Sequence, residues 1–207
     1  MGVTVTSPAA RRILPRHPWF AGLFMLAFTA LLWLIELVDR VAFHGALDQD
    51  GILARRLDGL DGILWSPLLH GSWAHLEANS LPFLILGFLV FAGGTGQWLA
   101  VTATVWLLGG FLTWLTGASG STIGASGVIF GWLAFLLVRG FFARSGRQIV
   151  LAMVLLFVYG GVLWGVLPTT SGVSWQAHLF GGLAGVLAAW LTSSADRRPR
   201  AATAPIR

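Results

Sequence analysis

The sequence predicts an all-α membrane protein, a bundle of six transmembrane helices with a long first loop, and three observations carry that prediction. Of 207 residues, 56% are hydrophobic and 10% charged, against about 25% charged in soluble domains, and the mean hydropathy is +0.79. Apolar runs of about 20 residues, enough to cross roughly 30 Å of hydrocarbon, recur along the chain. Thirteen basic residues, all arginine, stand in small clusters between those runs. A net charge of +5 and a pI near 11.5 could mark a nucleic-acid binder, but clusters at span ends follow the positive-inside rule instead of building a basic face, so no nucleic-acid partner is expected. The absence of cysteine removes disulfides, thiolate metal sites and cysteine nucleophiles together.

In chain order, residues 1–18 are read as a short cytoplasmic tail, 19–193 as the six-helix membrane domain and 194–207 as a basic cytoplasmic tail. The expected spans are 19–38, 73–92, 97–116, 121–142, 148–167 and 175–193. The first is too long, and too poorly flanked by small residues, for a removable signal peptide. Within the loop 39–72, "ILARRL" and "GILWSPLLH" are read as short amphipathic helices in the membrane interface. "GGTGQ" (93–97) is a glycine-rich turn, and "LPTTSGVS" (167–174) breaks the chain before the last span. Trp65, Trp73, Trp98 and Trp175 are expected in the interfacial aromatic belt.

Orientation follows from arginine. With six spans, Arg11, Arg12, Arg16, Arg139, Arg144, Arg147, Arg197, Arg198, Arg200 and Arg207 share one side, so both termini are expected in the cytoplasm. Exclusive use of arginine, with abundant Ala, Gly and Leu, fits a GC-rich genome and hence a multi-pass protein of a bacterial plasma membrane.

Polar residues inside spans are costly and mark candidate sites. They fall at the starts of spans 2, 4 and 6: "HGSWAHLEAN" (70–79), "GASG" (124–127) and "AH" (177–178). All three spans run outside to inside, so the patches are expected near the outer leaflet. Gly127 with Gly131, and Gly181 with Gly185, have the spacing that lets helices 4 and 6 approach closely. A serine hydroxyl becomes a nucleophile when an imidazole takes its proton. No acid stands beside Ser126 or His178 to complete a triad, which leaves a serine–histidine dyad. His75 and Asn79, at i and i+4 on one helix face, with His70 just before them, and the Ser126 N–H are candidate oxyanion donors. Gly124 lets backbone approach substrate.

These residues resemble the rhomboid family of intramembrane serine proteases: His70-x4-His75-x3-Asn79, Gly124-Ala125-Ser126-Gly127 and Ala177-His178-x2-Gly181-x3-Gly185, in that order. The resemblance implies a water-filled cavity open to the outer face, Ser126 as nucleophile, and His178 as general base and then acid. His75, Asn79 and the Ser126 N–H would hold the oxyanion. Transmembrane proteins would be the substrates, cut near their outer ends within membrane lipid, with no metal or organic cofactor. Two positions depart from the family pattern. Asp61-Gly62 stands where many members carry a Trp-Arg pair, and Phe130 stands where many carry a tyrosine that packs on the histidine, so the stacking face is kept without its hydroxyl.

The main alternative is a catalytically inactive rhomboid-like protein that binds membrane clients; such a binder needs neither Ser126 nor His178. A metal or haem site on His70, His75 and His178 lacks HExxH and a nearby acid. A transporter would place its polar breaks at mid-membrane instead of near one surface.

Overall fold

The computed structural model describes residues 12–168 and 172–196. Arg11, the centre of the 167–174 turn and the tail arginines Arg197, Arg198, Arg200 and Arg207 lie outside the described residues. Helix α1 (Pro18–Val38) opens on a proline, tolerated there because the first helical N–H has no intrahelical partner. It runs on through a π-turn (Asp39–Phe43) and is stopped by His44 and Gly45, both left-handed, at φ 54° and 84°. Four helical rods are long and apolar enough to cross a bilayer: Pro18–Phe43, Trp73–Gly93, Thr95–Thr116 and Gly146–Val166.

Between α1 and the second rod the chain makes only short elements: a 3-10 turn (Ala46–Asp50), strand β1 (Ile52–Leu53), another 3-10 turn (Leu57–Gly59), helix α2 (Gly62–Trp65) and a 3-10 turn (Ser66–Leu68). The expected helix over "ILARRL" is therefore not formed. Ile52 and Leu53 pair instead with Thr122 and Ser121 of strand β2 (Ser121–Thr122), and Arg55 turns left-handed at φ 59°. Its N–H donates to the Trp114 carbonyl at 2.9 Å and its guanidinium to the Gly117 carbonyl at 2.9 Å. At Gly62, the second position of the place where many family members carry a Trp-Arg pair, an added Cβ would run into the Gly51 backbone, so close packing of the loop excludes a side chain there.

Helix α3 (Trp73–Val90) is capped by Ser72, whose Oγ accepts from the His75 N–H at 3.1 Å. Pro82 within it removes the N–H owed to the Ala78 carbonyl and loosens the helix beside Asn79. Helix α4 (Thr95–Ala103), a π-turn (Thr104–Gly109) and α5 (Gly110–Thr116) form one rod. Trp98 faces inward, packed against Phe24 and Phe91: it is 4% exposed and stacks on Phe91 with centroids 5.0 Å apart, a core residue where the sequence suggested the aromatic belt. Trp65 and Trp73 do stand exposed.

Helix α6 (Ser126–Phe142) begins five residues later than the expected 121, because 121–122 are taken by the strand pairing. Helix α7 (Gly146–Tyr159) continues as a 3-10 turn (Gly160–Val166), and α8 (Trp175–Asp196) closes the described chain. Trp132, Phe83, Phe135, Met25 and Leu32 are the largest residues of the closed core. Phe157, 91% exposed, and the exposed Trp164 point outward from α7 and its turn, the inverse of a soluble surface. The α6–α8 seam is made by glycine. A Cβ on Gly181 would strike the Gly127 carbonyl, and one on Gly185 would strike that of Gly131, so the two backbones touch directly.

Candidate active site

Three helices point their N-terminal ends at one place. His75 lies in the first turn of α3, Ser126 is the first residue of α6, and His178 lies in the first turn of α8. Helix N-termini carry unpaired N–H groups and the positive end of the helix dipole, so the meeting point favours an anion. A cavity of about 590 Å³ opens there, lined among others by His75, Asn79, Gly124, Ser126, Phe130 and His178.

Ser126 Oγ and His178 Nε2 lie 2.8 Å apart. The other ring nitrogen, Nδ1, is 2.9 Å from the Gly165 carbonyl oxygen. A carbonyl only accepts, so the proton sits on Nδ1, leaving the Nε2 lone pair to receive the serine O–H. The sequence offered no carboxylate to orient this imidazole, and a backbone oxygen from the turn after α7 does so. Glycine at 165 keeps this approach free of crowding: an added Cβ would lie 3.0 Å from His178 Nδ1 and 3.1 Å from the Phe130 ring, tight enough that the imidazole or the phenyl ring would have to shift. Phe130 stacks on the imidazole with centroids 4.1 Å apart and planes within 5°, so the aromatic face at this position is used. An electron-rich ring face in this position would favour a positively charged imidazole.

On the opposite wall, Gly124 has φ +116°, a conformation that L side chains rarely adopt, and a Cβ there would come within 2.7 Å of His75 Nε2. Its N–H donates to the Ser66 carbonyl at 2.8 Å, fastening the segment before Ser126 to the first loop. Asn79 Nδ2 donates to the His75 carbonyl at 2.9 Å, which fixes the amide on the cavity side of α3 and leaves its second N–H to spare. The first helical bond of α6 runs from Ile129 N–H to the Ala125 carbonyl, so the Ser126 and Gly127 N–H groups stand outside the helical ladder.

His70, grouped with the oxyanion donors on sequence, sits elsewhere. It is 1% exposed, its ring meets that of His75 edge to face at 5.1 Å, and its Nε2 accepts a long bond, 3.4 Å, from the Ala125 N–H. With Nε2 occupied as an acceptor, it supports the residue before Ser126 from behind the cavity wall. Burial, and secondarily the neighbouring His75, hold the His70 pKa down to about 4. An unfolded histidine titrates near 6.5, so between those values the unfolded chain binds more protons, and stability falls as pH drops from about 6.5 to about 4. A His70→Gln variant is expected to show a flatter thermal midpoint over that window than wild type; parallel profiles would contradict this.

Comparison with known proteins agrees with the motifs. A rhomboid domain model matches residues 60–195. An uncharacterized protein of Mycobacterium tuberculosis is 47% identical over 215 aligned residues, covering 96% of this chain and 89% of its own length. Another, from Mycobacterium leprae, is 50% identical over 196 residues, covering 90% and 77% respectively. A protein of Acanthamoeba polyphaga mimivirus named as a rhomboid protein is 28% identical over 123 residues, 56% of this chain and 66% of its own. The matched domain takes in α2 and every cavity-lining residue named above, and on that ground the chain belongs to the rhomboid family.

Proposed function

We propose that this protein is an intramembrane serine endopeptidase that cleaves transmembrane protein substrates near the outer membrane face through a Ser126–His178 dyad. The observation that carries the reading is the 2.8 Å approach of Ser126 Oγ to an imidazole whose far nitrogen is already committed to Gly165. Ser126 attacks the scissile carbonyl as its proton passes to His178 Nε2. The oxyanion is held by His75, Asn79 and the Ser126 N–H at the convergence of three helix N-termini. His178 then protonates the leaving amine, and a water activated by the same imidazole hydrolyses the acyl-enzyme. No metal or organic cofactor enters these steps. A client-binding role without cleavage would leave this proton path without a purpose.

In this reading all six rods, including α6 and α8, cross the plasma membrane within a domain spanning about 19–193, both tails are cytoplasmic and the cavity faces outward. Helix α6 has 17 residues, so at about 1.5 Å per residue it covers some 25 Å, less than the roughly 30 Å hydrocarbon core. If its inner end reaches the cytoplasmic interface, Ser126 is recessed below the outer one, and the 590 Å³ cavity supplies the water that hydrolysis needs.

The test is cleavage of a single-span model substrate in proteoliposomes, with the cut mapped by mass spectrometry. A cut in the outer third of the span is expected; an uncut substrate, or a cut at the inner end, would contradict the reading. Removing one oxyanion donor typically costs about 10²–10³ in rate. His75→Ala and Asn79→Ala are each expected to lower kcat by up to that factor while leaving some turnover. Unchanged kcat in both would assign them to packing alone.

A further inference from the structure

We infer that the outer end of α1 and the first loop form a divalent-cation site of calcium type, built by Glu36, Asp39 and Asp48 and separate from the Ser126 cavity. One carboxylate oxygen from each of these three residues lies within 4.8 Å of the other two. Calcium binds oxygens at about 2.3–2.6 Å, so ligands on opposite sides of one ion stand up to about 5 Å apart, and the cluster has the right span.

A second observation points to a ligand. Asp39 is 2% exposed, and its Oδ1 accepts from the Leu47 N–H at 3.0 Å, but its Oδ2 has no hydrogen-bond donor among the described residues. The same holds for Asp48 Oδ1. Leaving buried carboxylate oxygens without donors is costly, and native structures rarely do so without an ion, a water or a proton at hand. Arg40 answers part of the charge: its Nε donates to Glu36 at 2.7 Å, and its Nη2 lies 3.3 Å from Asp48. Three carboxylates and one guanidinium leave a formal charge of −2 (−3 + 1), which one divalent cation cancels and one proton does not. Partial exposure of the Asp48 and Arg40 side chains gives an ion a way in from solvent.

The site is joined to both supports of the segment that carries Ser126. Arg40 Nη2 donates to the His70 carbonyl at 3.3 Å, and the His70 ring in turn accepts from Ala125. Ser121 Oγ donates to the Asp48 carbonyl at 2.7 Å. A bound cation would therefore fasten α1, the first loop and the strand before Ser126 to one another, stabilising the cavity's outer wall without touching the reacting atoms.

The experiment is calcium titration of the full chain, purified in detergent and stripped with a chelator, read by thermal midpoint, with magnesium as the comparison. Extracellular calcium modules bind with Kd of about 10⁻⁴–10⁻³ M. A saturable rise of about 3–10 °C is expected as calcium is raised to about 10 mM, roughly 10- to 100-fold above that Kd, with a smaller response to magnesium. Asp39→Asn should abolish the rise. Asp48→Asn, at a less buried position, should raise the calcium midpoint at least about tenfold and serves if Asp39→Asn does not fold. No saturable response in wild type up to about 10 mM calcium would overturn the site, as would an undiminished response in Asp48→Asn. A pH-dependent midpoint indifferent to calcium would mean that a shared proton occupies the cluster, and would overturn it equally. Fluorophosphonate labelling of Ser126, measured in the same samples, reports on the dyad separately, so either proposal can fail alone.

Discussion

Ser126→Ala is expected to abolish cleavage of a transmembrane substrate, a fall of at least about 10⁴-fold to below detection, while folded yield and thermal midpoint stay within error of wild type. The two halves of that expectation come from different parts of the structure. Catalysis is lost because the hydroxyl bonded to His178 Nε2 at 2.8 Å is the proposed nucleophile, the chain has no cysteine, and no second serine stands on that nitrogen among the described residues. Stability is kept because Ser126 is half-buried at the edge of a cavity, where deleting one oxygen opens no void in a packed core. His178→Ala should be as inactive, but less neutral in stability, since the ring fills the space between Gly165 and Phe130. Full cleavage by Ser126→Ala would remove the proposed chemistry.

The second large effect is on folding. Gly185→Leu is expected to reduce folded yield more than tenfold, because the new Cβ meets the Gly131 carbonyl carbon at 2.8 Å and its Cα at 3.0 Å, backbone atoms that cannot rotate away. Overpacking a core with flexible neighbours costs typically about 1–3 kcal/mol. Here the α6–α8 seam itself must separate, and with it the Ser126–His178 contact that the seam brings about. Gly182→Ala is the control on the same helix: its Cβ would sit 3.9 Å from the Ala134 methyl, an ordinary contact, so yield and activity should be retained. Equal yields for Gly185→Leu and Gly182→Ala, by size-exclusion profile and thermal midpoint, would show that the glycine seam does not hold the bundle together.

How much of this was legible in the sequence depended on whether a residue acts through its own side chain and its own neighbours in the chain. The apolar rods are local properties of composition, and so were readable to within a few residues. The polar positions 75, 79, 126 and 178 stood out because a membrane span makes any polar side chain conspicuous. Backbone partners leave no such mark. The Gly165 carbonyl that orients His178 belongs to "GGVLWGV", a segment that reads as plain span, and only the tight approach of His178 and Phe130 to its Cβ position makes that glycine telling. Long-range pairing was equally hidden: Ser121 and Thr122 leave the helix because Ile52 and Leu53 are there to pair with them, which moves the start of α6 onto Ser126 itself. His70 shares a motif with His75 yet points behind the wall, because it precedes α3 and is not carried on the helix face that His75 and Asn79 share. Trp98 read as a belt residue for a similar reason, since which face of α4 turns inward is decided by Phe24 and Phe91.

An activated hydroxyl at position 126 is the proposed centre of catalysis, and active-site labelling tests it most directly. Membranes holding the full chain are treated with a fluorophosphonate and the modified peptide is mapped by mass spectrometry, in wild type, Ser126→Ala and His178→Ala. The expected result is a single adduct on Ser126 in wild type, none in Ser126→Ala, and labelling slowed by orders of magnitude in His178→Ala. An adduct on another residue, or labelling of Ser126 at the same rate without the imidazole, would contradict the dyad.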